Sequence, residues 1–251
     1  YLVKKVRHRL DTAGGVSRWL SGDYSAATDN LRQALSRAAW NEICAQAEFP
    51  LWLRRLGSKA LVGHRIHFRG EKRGEKATVV QQWNGQLMGS PLSFPILCVV
   101  NAALCSLAFR HGDWSESQTR LADMPILING DDCVMHFSER QKSLWEQFSA
   151  HAGLSPSIGK CYYSSQFLQI NSTNFIWEGH QEGGSLKAVP YWNFSLCTSV
   201  KSKGGEPRHW SDLGSSAREF IKGFPEEEKE RMMSVFIRRQ RESGLLNKIP
   251  P

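Results

Sequence analysis

The run ILINGDDCVMHF, residues 126–137, constrains the fold of this chain more than any other stretch. Apolar residues alternate with polar ones on either side of Asn129-Gly130, the strongest short-range signal for a two-residue hairpin turn. The segment is expected to fold back at that dipeptide, with Asp131 and Asp132 at the hairpin tip. Two acids on a solvated turn need no function. The tip acquires chemical meaning only if a partner carboxylate reaches it from elsewhere.

Asp23 is that partner. In VSRWLSGDYSAATDNLRQALSRAAW a short apolar run ends at Gly22-Asp23, and Leu31, Leu35, Ala38, Ala39 and Ile43 then recur at helical spacing. The pattern predicts strand, turn and helix, with Thr28 or Asp29 as N-cap. Asp23 falls at a strand's C-terminal end, where α/β-type proteins tend to place their chemistry. If this strand neighbours the hairpin, Asp23 and Asp131 make a two-carboxylate site. Hard divalent cations such as Mg²⁺ take one or two carboxylates plus water and phosphate oxygens. A pair of such ions about 4 Å apart supports phosphoryl transfer.

The remaining elements follow from local pattern. HRIHFRGEKRGEKATVV is a basic hairpin-like stretch, and a Gly-rich loop leads into Ser93–Phe109, too apolar for a surface helix and expected to be buried. RQKSLWEQFSAHAGL is helical in Leu144, Phe148 and Ala152 and closes on Gly153. GKCYYSSQFLQINS alternates like strands. From about residue 178 the chain becomes turn-rich and then helical, with Pro225 at a first helical position, acids after it, arginines near the end and Gly244 as the stop. The fold class is α+β, with a second, mainly helical subdomain.

The 251 residues can bury a sizeable core, and 41% hydrophobic with 22% charged residues is an ordinary globular mixture. No apolar run is long enough to span a bilayer, and YLVKKVRHRL contains no signal-peptide core, so a soluble chain is expected. It opens on Tyr, as a piece of a longer protein would. The six cysteines form no C-x-x-C pair, which fits a reducing compartment. His64 and His67 fall on opposite faces of a strand-like run and are taken as ordinary polar residues. A net charge of +8 favours a polyanionic partner, nucleic acid first.

Three motifs in order carry a family resemblance. Asp23-Tyr-Ser-Ala-Ala-Thr-Asp29 resembles motif A of viral RNA-directed RNA polymerases, Gly85-Gln-Leu-Met-Gly89-Ser-Pro-Leu-Ser93 motif B, and Gly130-Asp131-Asp132 motif C. Gly159-Lys160 and FLQINS are similar to motifs D and E. The D-x5-D spacing and GQLMGSPLSFP look most like positive-strand RNA virus polymerases of the ourmia-like (botourmiavirus), narnavirus, mitovirus and levivirus kind.

The resemblance implies a right-hand polymerase: a palm with part of the fingers over residues 1–177, a thumb portion over 178–251, and fingers otherwise largely absent. It implies template-directed RNA synthesis from ribonucleoside triphosphates with two Mg²⁺ ions, or Mn²⁺ in their place, and RNA template and nascent RNA as partners. Replication would be in host cytoplasm, or in a mitochondrion for a mitovirus-like chain. Asp23, Asp131 and Asp132 would be metal ligands and catalytic, with Lys160 the proton donor to pyrophosphate. Asp29 would sense the ribose 2′-hydroxyl, and Gly85, Gly89, Ser90 and Ser93 would shape the approach to substrate. Asn101 stands one turn beyond the usual motif B asparagine position, which is Leu97 here, and would either approach the ribose or serve as a satisfied polar residue of a core helix. The Lys4, Lys5, Arg7 and Arg9 cluster lies too near Asp23 to be assigned as the basic fingers motif. A reverse transcriptase and a non-catalytic RNA-binding module are the rival readings. Asp29 speaks against the first and the intact acids against the second.

Overall fold

The computed structural model describes residues 17–68, 78–111, 120–178, 184–190, 192–198 and 209–249. The Lys4 to Arg9 cluster and the tip of the basic hairpin lie outside them. The chain divides into two compact units, Tyr1–Ala188 and Val189–Pro251.

The first unit opens with β1 (Arg18–Gly22), the short helix α1 (Ala27–Asn30), α2 (Gln33–Gln46) and α3 (Leu51–Leu61). A two-stranded ribbon follows, β2 (Arg65–Phe68) with β3 (Thr78–Gln81), and then α4 (Ser93–Phe109). The hairpin β4 (Ile126–Asn129) and β5 (Asp132–Phe137) leads to α5 (Glu139–Ala152), β6 (Tyr162–Ser164), β7 (Phe167–Ile170), β8 (Thr173–Glu178) and β9 (Ser185–Ala188). One antiparallel sheet has the order β4-β5-β1-β6, and a second has the order β7-β8-β9.

The period of two in a strand sorts the core. Leu20, Cys133, Met135 and Phe137 turn to one face and pack with Ile96, Leu97 and Val100 of α4 and Trp145 of α5. Trp19 and Val134 turn to the other, against Leu168, Trp177 and Leu186 of the second sheet. β1 is thus covered on both faces, and its C-terminal end is held rigidly.

The expected hairpin, the Ser93–Phe109 helix and the Gly153 stop are all present, Gly153 at φ 85 after a helix that begins with a Ser138–Gln141 capping box. Two local expectations are corrected. Asn129 pairs with Asp132, so the two-residue turn is Gly130-Asp131 and not Asn129-Gly130. The reason is that Gly130, at φ 68, sits at the first central position, where a glycine-first turn matches strand twist. The helix after Asp23 is capped by neither Thr28 nor Asp29. Its N-cap is Ala26, and the chain turns extended at Leu31 before α2 restarts.

The second unit contains α6 (Leu213–Lys222) and α7 (Glu226–Glu242), packed around Phe220, Phe224 and Phe236. Trp192 stacks on Phe224 at 5.2 Å and donates its indole N–H to Gly223 O at 2.8 Å. Pro225 is the N-cap residue of α7 and not its first helical residue as expected, which is Glu226, and Gly244 follows the helix at φ 72. Because β9 adds a third strand to β8, the first compact unit runs on to Ala188, past the expected boundary near residue 178. Among the described residues no helix is long and apolar enough to cross a membrane.

Candidate active site

Strand register assembles the charged residues. β1 pairs with β5 with Gly22 opposite Cys133, so one step further puts Asp23 opposite Asp132. On its other edge β1 pairs with β6 as far as Ser21 opposite Tyr162, and Lys160, in the turn before β6, reaches Asp23 through its side chain. Lys160, Asp23 and Asp132 therefore form a row across three neighbouring strand ends, with Asp131 on the adjoining turn. Lys160 Nζ lies 2.9 Å from Asp23 Oδ2, the lysine side chain 69% exposed and the aspartate 13%.

The segment bearing Lys160 is tied to Asp23 through the backbone as well. Ser157 N donates to Asp23 O at 2.9 Å, and the Cys161 thiol donates to the same carbonyl at 3.2 Å. The hydrogen bond and charge of Asp23 push the Lys160 ammonium pKa up. Burial pushes the Asp132 carboxyl up, aided by Asp131 and Asp23 and opposed by the backbone N–H of Asn171 and by Lys160.

Asn171 is a contributor that sequence reasoning missed. It sits with Ser172 at the β7–β8 turn, both at positive φ. Its N–H donates to Asp132 Oδ2 at 3.1 Å, and its side-chain oxygen accepts from Asn129 Nδ2. The signal was the Asn-Ser pair ending the alternating FLQI run, a turn dipeptide whose target no local pattern specifies.

Asn101 does not face a substrate. It is 0% exposed, and its amide donates to Gly130 O at 3.0 Å and Asp131 O at 3.3 Å. Of the two roles read from sequence, the structure assigns the satisfied core amide, which here holds the acidic turn.

The loop of residues 82–92 seats on α1. Gly85 N donates to Leu31 O at 2.9 Å and Gln86 N to Thr28 O at 2.7 Å, while Asn84 Nδ2 donates to Asn30 O at 3.0 Å. These bonds satisfy the carbonyls that a broken helix leaves without partners. Gly85 has φ +67, and a Cβ there would meet the carbonyl oxygens of Asp29 and Thr28 at 2.4 Å. Ser90 Oγ donates to Ala60 O and Ser93 Oγ to Leu87 O, both at 2.7 Å, so the two hydroxyls are engaged in shaping the loop. Gly89 lies at φ +89, and a Cβ added there would have nothing within 4 Å. Asp29 is exposed on α1.

A pair of variants separates close approach from backbone conformation. Gly85→Ala and Gly89→Ala both force an L-residue to positive φ, costing about 1 to 3 kcal/mol. Only the first also collides with backbone atoms. Thermal unfolding is expected to show the larger fall for Gly85→Ala; equal falls would mean that the seat on α1 yields freely.

The donor set suits a hard divalent cation. The acids offer oxygen only, yet among the described residues no three His, Cys, Asp or Glu side chains already form a ligand cage. Mg²⁺ requires no such cage, because water and substrate phosphate complete its shell.

A central β-strand and an acidic hairpin tip are joined in one antiparallel sheet, with helices on one face. The fold is shared with two solved structures of the RNA-dependent RNA polymerase of a human picobirnavirus, one an insertion-loop deletion mutant. Each has a TM-score of 0.58, at 16% and 14% identity, over 98% and 97% of this chain and 48% and 45% of those. In sequence the chain is 35% identical over 253 aligned positions to the RNA-dependent RNA polymerase of Ourmia melon virus (isolate Melon/Iran/VE9). Its sequence is thus similar to that of an ourmiavirus RNA-dependent RNA polymerase, and its fold to those of viral RNA-dependent RNA polymerases. The alignment covers 92% of this chain and 28% of that polymerase, so the chain spans less than a third of the relative's length. No protein-family model matches the chain.

Proposed function

We propose that this chain is the catalytic palm, with a portion of the thumb, of a viral RNA-directed RNA polymerase. It extends an RNA 3′-hydroxyl with ribonucleoside triphosphates on an RNA template, in the replication of a positive-strand RNA virus genome in host cytoplasm. The observation that carries the proposal is the row of Lys160, Asp23 and Asp132 beside Asp131, on a fold shared with viral polymerases.

Asp23 and Asp131, with Asp132 beside them, would hold two Mg²⁺ ions, or Mn²⁺ in their place. Such ions activate the attacking hydroxyl and offset charge on the leaving oxygen. The protein supplies the rest. Asn171 and Asn101 hold Asp132 and the turn from two sides, Lys160 sets a positive charge beside Asp23, and Gly89 leaves room beside the loop for a base pair. The net charge of +8 suits the template and nascent strands. Template-directed extension of an annealed RNA primer by the full-length protein tests the proposal. Extension indifferent to template sequence, or RNA binding with no extension, would overturn it.

Asp29 is the proposed sugar sensor. It is exposed, and the N-cap role is filled by Ala26, which leaves its carboxylate available. A site built to bond a hydroxyl discriminates strongly against its absence. Asp29→Ala is therefore expected to lose more catalytic efficiency with ribonucleotides than with deoxyribonucleotides. Equal losses in steady-state kinetics would reduce Asp29 to a scaffold residue.

A further inference from the structure

Behind the acidic row, a closed chain of hydrogen bonds runs through the core. Tyr24, next to Asp23, is 3% exposed, and its hydroxyl donates to Asn101 Oδ1 at 3.0 Å. That hydroxyl accepts from Trp145 Nε1 at 2.9 Å and lies 3.2 Å from Ser149 Oγ, both on α5. Asn101 passes the connection on through its two N–H bonds to the carbonyls of Gly130 and Asp131, while the Cys105 thiol donates to its oxygen at 3.5 Å. Every donor and acceptor of the Asn101 amide is thus engaged.

This arrangement is more specific than core packing demands. A leucine would fill a buried α4 position without any polar partner. What the amide adds is a fixed relation just beyond the end of the β1–β5 ladder, between the residue after Asp23 and the turn that carries Asp131. A satisfied buried network has one good geometry, and departures from it leave polar groups unpaired.

We propose that Tyr24 and Asn101 are positioning residues that set the placement of Asp131 relative to Asp23, and thereby the site's affinity for divalent cations. The inference rests on the proposed two-carboxylate site and deepens it. Groups that orient metal-binding side chains typically change metal affinity by about 10- to 100-fold when removed.

The test uses the full-length protein and Mn²⁺ alone, with free ion followed by electron paramagnetic resonance. Tyr24→Phe removes one oxygen and retains the ring, so it is the variant that keeps its fold. Its Mn²⁺ half-saturation is expected to rise about tenfold, with secondary structure unchanged by circular dichroism. Asn101→Leu is expected to raise half-saturation by at least as much, and Tyr24→Phe added to it should change nothing further, because the hydroxyl acts through the amide. Unchanged Mn²⁺ affinity in Tyr24→Phe, or additive effects in the double variant, would overturn the proposal. Asp131→Asn in the same titration separates the two levels. If it weakens Mn²⁺ binding while Tyr24→Phe does not, the positioning role alone fails. If Asp131→Asn also leaves binding unchanged, the two-carboxylate site itself fails.

Discussion

Asp131→Asn in the full-length protein is expected to abolish nucleotide addition while leaving RNA affinity within a few-fold of the parent. Asparagine keeps the shape of the side chain and removes the charge that a cation and a phosphate require from both sides. The fold should tolerate the exchange, because the turn is held by its carbonyls: Asn101 bonds Gly130 O and Asp131 O and leaves the Asp131 carboxylate alone. Affinity for RNA comes mainly from lysines and arginines on the phosphate backbone, and the chain has 32 of them against 24 acids. Primer extension together with a binding titration measures both halves. Synthesis at the parental rate would remove Asp131 from the reaction, and a collapse of RNA affinity would mean that the turn does more than hold metal.

The structure shows which parts of this site could be read locally. The hairpin, the buried α4 helix and the helix closing on Gly153 were legible because hydrophobic period and turn chemistry are properties of a few adjacent residues. The meeting of Asp23 with Asp131 and Asp132 was legible only conditionally, since strand adjacency is non-local. Register then set Asp23 beside Asp132, and the ion pair set Lys160 on its other side. What failed was decided by tertiary partners. The helix after Asp23 breaks at Leu31, and the loop of residues 82–92 takes up the carbonyls left there. Asn101 looks identical in sequence whether it bonds a ribose or a turn.

Lys160→Arg should separate proton donation from electrostatics at the far end of the acidic row. As the bond to the α-phosphorus breaks, charge builds on the departing pyrophosphate, and a positioned acid there typically contributes about 10² to 10⁴ in rate. The position is well defined. Residues 155–157 run beside residues 23–25, with Ser25 N donating to Ser155 O at 2.9 Å and Tyr24 bridged to Pro156, so Lys160 is delivered by backbone as well as by its ion pair. That ion pair pushes the ammonium pKa up, which makes it a reluctant acid while Asp23 is its partner. Where Asp23 serves as a ligand for a divalent cation, Lys160 would be free of this pairing and able to serve the leaving group. Arginine preserves the charge and its pairing with a carboxylate, yet hardly ever gives up a proton. If Lys160 donates a proton, both Lys160→Arg and Lys160→Ala lower the single-turnover rate by about 10² or more, with apparent nucleotide affinity within a few-fold. If it acts only as a counter-charge, Lys160→Arg runs near the parental rate and Lys160→Ala alone is slow. Rapid-quench measurement of one nucleotide addition distinguishes these results, and the second pattern would leave proton transfer to water.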